Sequence, residues 1–340
     1  MGIELNVAIV GVTGAVGETF LHVLAERNFP VKALYPLASA RSVGKTITFN
    51  GQEHDVLDLA EFDFSQVDIA FFSAGAAVSR EYVPLAAAAG CIVIDNSSAF
   101  RYEEDVPLIV PEVNAHRIGD FSRRNIIANP NCSTIQMVVA IKPIYDAVGI
   151  TRINVATYQS VSGTGKKAIS ELIAQMGDLL NGRPAKVDIY PQQIAFNAIP
   201  HIDQFEENGY TREEMKMVLE TRKIMEDEQL MVNPTAVRVP VIYGHSEAIH
   251  LELKHPLSAV DAKKILKQAP GVQVIDNPNK LQYPTAIGNA VGQDDVMVGR
   301  IRQDISHPTG LNMWVVADNI RKGAASNAIQ IAEILQRDYL

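Results

Sequence analysis

Asn6-Val-Ala-Ile-Val10-Gly11-Val-Thr13-Gly14-Ala15-Val16-Gly17 is the stretch that decides the fold. Its first five residues form a short apolar run with no alternation, the pattern of a strand buried on both faces. Gly11 ends the run, and three glycines with G-x-x-G-x-x-G spacing lead into Glu18–Arg27. There Phe20, Leu21 and Leu24 share one helical face. Working outward, Val31–Leu37, Asp68–Ser73 and Cys91–Ile94 read as further strands, and Tyr82–Ala89 as a small-residue helix. Strands that alternate with helices at this spacing predict a Rossmann-like, doubly wound parallel α/β sheet.

The texture changes after about residue 130, where the expected strands lengthen and alternate. These are Ile153–Ser160, Ala236–Ile242 and Ser246–Lys254. In the last, Ile249, Leu251 and Leu253 face one way and His250, Glu252 and Lys254 the other. A sheet with one covered face fits this pattern and predicts a second, α+β domain. A final helix over Gly323–Gln336 carries Ala328, Ile331, Ala332 and Leu335 on one stripe and is expected to return to the first domain. The predicted division is 1–130 plus 320–340 for a nucleotide-binding domain and 131–319 for a catalytic and dimerisation domain.

The 340 residues carry 30 Lys and Arg against 39 Asp and Glu, a net charge of −9. An acidic chain without a basic stripe argues against nucleic acid or an anionic membrane surface as partner. No run approaches the ~18 apolar residues of a membrane span, and no leader pattern is recognisable, so a cytoplasmic protein is expected. The two cysteines, Cys91 and Cys132, lack metal-type spacing, and no metal is expected.

The glycine loop allows backbone N–H groups to approach a pyrophosphate at a helix N-terminus. An NAD site places an acid about 20 residues further on, at the end of the second strand. Here that position reads Leu37-Ala-Ser39-Ala-Arg41-Ser42-Val-Gly-Lys45, with no acid. Arg41, with Ser39 and Ser42, suits a 2′-phosphate, so NADP is the expected cofactor.

Asn129-Pro-Asn131-Cys132-Ser-Thr-Ile-Gln-Met-Val-Val-Ala-Ile141 places a thiol where polar turn residues enter an apolar helix. A thiolate there faces the positive end of the helix dipole, and nearby N–H groups can hold an oxyanion. By itself such a cysteine could equally be a buried core residue. Cys91, inside a strand, reads as inert core. A nucleophilic cysteine needs a base, and His245, in Gly244-His-Ser246 at a strand junction, is the candidate. Alone it reads more readily as a structural or surface histidine.

Together these segments resemble the aspartate-β-semialdehyde dehydrogenase family over nearly the whole chain. The residues that carry the resemblance are Gly11–Gly17, Ser97-Ser-Ala-Phe-Arg101, Val110-Pro-Glu-Val-Asn114, Asn129-Pro-Asn-Cys-Ser133, Tyr158-Gln-Ser-Val-Ser-Gly163, Glu213-Glu-Met-Lys216, Arg238-Val-Pro-Val241 and Gly244-His-Ser246. The resemblance implies NADPH-dependent reductive dephosphorylation of β-aspartyl phosphate to aspartate semialdehyde, with small-molecule substrates and a homodimer. It implies Cys132 as acyl carrier, His245 as general acid/base and Gln159 as orienting residue. Arg238 would clamp the substrate carboxylate, Glu213 would meet the amine, and Asn131 would stand beside the cysteine. Arg101 and Lys216 would hold phosphate. Ser162, Gly163 and Asn319 would touch the cofactor, alongside Gly11, Thr13, Gly14, Ala15, Val16 and Gly17.

Without the family, Glu213, Lys216, Glu220 and Lys223 read as a solvated stripe opposite Met215, Val218 and Leu219. Thr211-x-x-Glu214 reads as a capping box opening that helix. Two rivals remain at this level. One is another acyl-phosphate reductase, of the N-acetylglutamyl-phosphate or glyceraldehyde-phosphate type; the other is a nucleotide-binding relative without catalysis.

Overall fold

The computed structural model describes residues 3–340, which divide into two compact units, one ending at Asn131 and resuming at Ala324–Leu340, the other Cys132–Gly323. In the first unit, β1 (Leu5–Val10) runs through the glycine turn into α1 (Ala15–Glu26). β2 (Val31–Ala38) follows, then a hairpin of β3 (Thr46–Phe49) and β4 (Gln52–Asp55), and the short β5 (Leu57–Asp58). After β6 (Ile69–Phe72) come α2 (Ala76–Ala88), β7 (Ile92–Asp95), α3 (Pro111–Asn114) and β8 (Ile126–Ala128).

The main sheet has the order β5-β2-β1-β6-β7-β8, with every pairing parallel. Strands β1, β6, β7 and β8 are short and almost wholly buried, as continuous apolar runs require when helices cover both faces. The strand order reverses at β1, between β2 and β6, so the carboxyl ends of these strands diverge and open a crevice.

The second unit opens with α4 (Cys132–Val148), followed by β9 (Ile150–Gln159), α5 (Lys166–Leu180) and α6 (Arg212–Met225). Then come β10 (Met231–Arg238), β11 (His245–Leu253), α7 (Ala259–Gln268), β12 (Val272–Val274), β13 (Val296–Gln303) and β14 (Gly310–Ala317). They form a mixed sheet ordered β10-β9-β11-β14-β13-β12. α4, α6 and α7 pack against it, and along β11 the burial alternates as a sheet with one covered face demands. The last helix, α8 (Ser326–Asp338), inserts Ala328, Ile331, Ala332 and Leu335 into the core of the first unit, beside Phe20 and Leu24 of α1.

Two expectations need correction. The strand expected at Ala236–Ile242 lies at Met231–Arg238 instead. This strand includes Pro234, which is tolerated because β10 lies at the sheet edge, where a missing N–H costs no ladder bond. Beyond Arg238 the β-branched residues form a tight turn, Val241 N–H donating to the Val239 carbonyl. The polarity of α6 is the second. Glu213, Glu214, Glu220 and Thr221 are buried while Leu219 is exposed, the reverse of a solvated stripe. The capping box itself is present, since Thr211 and Glu214 cap each other's backbone N–H groups. Glu214 also accepts from the Ala236 N–H of β10, so this face of α6 is held inward by polar bonds.

Candidate active site

Three adjacent strands of the second unit bring the proposed residues to one sheet end. Parallel pairing sets Arg238 of β10 beside Gln159 of β9. Antiparallel pairing sets Ser246 of β11 beside Tyr158, which carries His245 to the Gln159 end of β9. His245 in turn pairs with Ala317, the last residue of β14, and Asn319 follows just beyond. Arg238, Gln159, His245 and Asn319 are all buried.

Polar bonds fix each of them. The Ser160 backbone N–H donates to His245 Nδ1 at 3.0 Å, which assigns the proton of the neutral ring to Nε2. Burial, then the Arg238 guanidinium, lower the His245 pKa to about 3, so the ring is neutral. Nε2 has no protein partner and faces Gly163, where an added Cβ would lie 3.5 Å away. Arg238 donates through Nη1 to the Ser160 carbonyl at 2.6 Å and lies over the Tyr190 ring. Ser160 therefore ties arginine and histidine into one unit through its own peptide groups. Asn319 Oδ1 accepts from the Gly244 N–H and from the Ser160 and Ser162 hydroxyls, locking the turn before His245 to the loop after Gln159.

Gln159 donates through Nε2 to Glu213 Oε1 at 3.1 Å, and Lys216 bridges Glu213 and Asp203 at 3.0 and 2.9 Å. Burial works against the Lys216 charge, but the Glu213 and Asp203 carboxylates win and raise its pKa, keeping it cationic. This is why α6 buries Glu213: an ammonium and an amide meet it. Cys132 is the first residue of α4 and partly exposed, while the residues after it, Ser133 to Ile141, are buried. The Cys132 Cβ lies against Gly323, where any side chain would come within 2.8 Å. Cys91, by contrast, is fully buried, and burial pushes its thiol up to about 12, as inert core requires.

In the first unit a cavity of about 520 Å³ occupies the sheet crevice, lined by Gly11, Thr13, Gly14, Ser39, Arg41, Ser42, Lys45 and Ser73. Gly11 has φ +87°, and a Cβ there would press on the Ser73–Ala74 backbone. Gly17 does a different job. A Cβ on it would collide with the Gly11 carbonyl and the Val12 backbone, so it lets α1 pack onto the turn. Neither Gly17 nor Ala15 and Val16 line the crevice; Val16 packs on the core. Arg41 and Lys45 line it with no carboxylate among the lining residues, a donor set that fits a nucleotide with an extra phosphate.

Arg101 is buried and donates through Nη2 to the Asn96 carbonyl at 2.9 Å. Its loop is held by Asp95, which accepts from the Ser79 and Ser97 hydroxyls and the Ser97 N–H. Burial raises the Asp95 pKa, against these donors and Arg101. Asn129 is held from both sides, donating to Asn96 Oδ1 and accepting from Asn327 Nδ2, each at 2.7 Å. Asn131 is buried next in the chain to Cys132. Among the described residues no group of three or more His, Cys, Asp or Glu could hold a metal ion, and no helix is long and apolar enough to cross a membrane.

The sequence assigned no role to Ser160, Tyr190, Gly323 or Glu247. Ser160 and Glu247 left a trace, a hydroxyl beside Gln159 and an acid at an inward position of an alternating strand.

Residues 6–121 match the semialdehyde dehydrogenase NAD-binding domain, and residues 141–322 the semialdehyde dehydrogenase dimerisation domain. An aspartate-semialdehyde dehydrogenase of Legionella pneumophila is 77% identical over 340 residues, 100% of this chain and 98% of that protein. The chain belongs to the aspartate-semialdehyde dehydrogenase family. The crystal structure of aspartate semialdehyde dehydrogenase II from Vibrio cholerae, complexed with ASA, superimposes with a TM-score of 0.98 at 60% identity, covering 99% of this chain and 100% of that one. The Candida albicans aspartate semialdehyde dehydrogenase with NADP is similar at 27% identity and a TM-score of 0.76, covering 98% and 99%. As an aspartate-semialdehyde dehydrogenase, the chain is an oxidoreductase with a nicotinamide-cofactor domain and small-molecule substrates.

Proposed function

We propose that the chain catalyses the reversible reductive dephosphorylation of L-aspartyl 4-phosphate to L-aspartate 4-semialdehyde, using NADPH and a thioester on Cys132. This is the step that feeds the lysine, threonine, methionine and isoleucine branch of amino-acid biosynthesis, in the cytoplasm. The observation that carries the reading is the row Arg238–Gln159–His245 at one sheet end, in the unit whose first helix begins with Cys132.

In the biosynthetic direction, the Cys132 thiolate attacks the acyl carbon and phosphate leaves. Thiolate suits both halves of the reaction, as good nucleophile and good leaving group. NADPH, when bound, supplies the hydride that reduces the thioester. The neutral His245 ring donates a hydrogen bond from Nε2–H to the developing oxyanion, aided by backbone N–H groups of the first turn of α4. The oxyanion then reforms the carbonyl and the C–S bond to Cys132 breaks, releasing the aldehyde and the thiolate while the Nε2 proton stays on the ring. Arg238 has guanidinium donors beyond the one spent on Ser160 and would grip the substrate carboxylate. Glu213 would receive the ammonium, and Gln159, bonded to Glu213, would orient the acyl group. Arg101 and Lys216 are the proposed phosphate contacts, and Asn131 stands beside the nucleophile.

NADP over NAD rests on Arg41, with Ser39, Ser42 and Lys45, lining a crevice without an acid. Gly11, Thr13 and Gly14 would meet the pyrophosphate, with Ala15, Val16 and Gly17 shaping the turn. Ser162, Gly163 and Asn319 are the remaining proposed cofactor contacts. A homodimer is supported by an apolar groove of about 690 Å³ on the outward face of β11 and β14, where Tyr283, Ile287, Met313 and Trp314 lie. Dissociation of the particle by Ile287→Asp in sedimentation would support the dimer; an unchanged size would oppose it.

The deciding experiment measures NADPH formation from aspartate semialdehyde, with and without phosphate, for wild type and Cys132→Ala. Phosphate-dependent turnover that Cys132→Ala abolishes is expected. Turnover without phosphate, or an active Cys132→Ala, would overturn the mechanism. An N-acetylated substrate should fail, which separates this reaction from that of the N-acetylglutamyl-phosphate type.

A further inference from the structure

We infer that Glu247 is a positioning residue, its neutral carboxyl group pairing with the Gln136 amide to hold the first turns of α4 against β11. Glu247 lies two residues along β11 from His245, hence on the same sheet face. Gln136 lies four residues along α4 from Cys132, hence on the same helical face. The two side chains thus form a tier directly beneath the nucleophile and the imidazole. This inference rests on the proposed roles of Cys132 and His245.

The chemistry of the tier is unusual. Glu247 is 0% exposed, and its register neighbours are Thr157 on β9 and Val315 on β14. Neither carboxyl oxygen completes a hydrogen bond, nor does either amide atom of Gln136, nor the Thr157 hydroxyl. Burial pushes the Glu247 pKa well above its ordinary range, opposed by the neighbouring Gln136 amide. A protonated carboxyl and an amide are complementary in both directions. The acid O–H donates to Gln136 Oε1 while Nε2 donates to the acid carbonyl, whereas a carboxylate could only accept.

Each group left unpaired in the interior forfeits the hydration it would have in water and so destabilises the fold. A leucine at position 247 would remove the acid's share of that cost, though it would leave the Gln136 amide without a partner. An acid here therefore lowers stability unless it engages Gln136, and that engagement joins the strand of His245 to the helix of Cys132. A misplacement of about 1 Å between reacting groups can cost ~100-fold in rate, which is what the pair prevents.

The test compares Glu247→Leu, Glu247→Gln and Gln136→Leu by steady-state kinetics and thermal melting, with Cys132→Ala in parallel. Glu247→Leu is expected to fold but to melt below wild type, because Gln136 is left without a partner, and to lose roughly 10- to 100-fold in kcat, with KM within about threefold. Gln136→Leu should match it, and Glu247→Gln, which keeps a neutral donor and acceptor, should restore most of the rate. Were Glu247→Leu misfolded, Gln136→Leu against Glu247→Gln would decide in the same way. A folded Glu247→Leu with wild-type kcat, or a Glu247→Gln as slow as Glu247→Leu, would overturn the proposal. If Cys132→Ala kept full activity, the thioester reading would fall and this proposal with it. A dead Cys132→Ala beside unaltered Glu247→Leu and Gln136→Leu overturns this proposal alone.

Discussion

The backbone N–H of Ser160 points at Nδ1 of His245 from 3.0 Å, so a histidine at the sheet end is held as a donor on its other nitrogen. Protonating Nδ1 would set two N–H groups against each other, next to the Arg238 guanidinium. That is the same direction in which burial and Arg238 drive the pKa, to about 3.

The sign of the resulting pH dependence follows directly. The unfolded histidine titrates near its ordinary 6.5, and the folded one near 3. Between these values the unfolded state binds more protons, so stability is full above about pH 6.5 and falls as the pH drops toward 3. The slope contributed is at most about 1.4 kcal/mol per pH unit. Urea midpoints across this range should fall less steeply for His245→Gln than for wild type. Nitrogen chemical shifts should show an Nε2–H tautomer throughout pH 5 to 8, on the order of the range where a free imidazole changes charge. An imidazolium at pH 6 would contradict the assignment.

Arg238→Lys should behave as a severe change. The guanidinium bonds the Ser160 carbonyl and lies over Tyr190, and a lysine cannot also fork onto a carboxylate. A KM for aspartate semialdehyde raised roughly 10- to 100-fold is expected from the lost charged hydrogen bonds. A lower kcat should accompany it, because Ser160 orients His245. Steady-state kinetics at saturating phosphate separates the two effects.

Arg41→Ala should raise the KM for NADP by roughly 10- to 100-fold while leaving that for NAD nearly unchanged. Equal losses with both cofactors would show that Arg41 holds the crevice together instead of reading a 2′-phosphate.

Gly323→Ala would place a methyl 2.8 Å from the Cβ and 3.3 Å from the Cα of Cys132. The nucleophile must shift, since its backbone is anchored in α4. A destabilisation of about 1–3 kcal/mol is expected, with a fall in kcat of tenfold or more on the order that such displacement costs. Burst kinetics of NADPH formation would locate the loss in the chemical step.

The local code was enough for the first unit. An unbroken apolar run, a glycine triplet and a helical stripe each involve residues within a turn or two, so β1, α1 and the cofactor crevice could be read directly. Cys132 at a helix start and the Thr211–Glu214 capping box are legible for the same reason. The family resemblance named Gln159, Arg238 and Glu213, but their arrangement belongs to the tertiary structure. Whether a polar side chain is buried depends on partners that the chain delivers from far away. Glu213 turns inward because Gln159 reaches it from 54 positions earlier, and His245 takes one tautomer because Ser160 arrives from 85 positions away. Leu219 is exposed and Glu220 buried, against the hydrophobic pattern of α6. The sequence by itself therefore determined the parallel sheet, the glycine loop and the place of Cys132 at a helix start. Only the tertiary structure decided the protonation and orientation of the groups set to act with it, because long-range pairing, not local periodicity, sets the cost of burying charge.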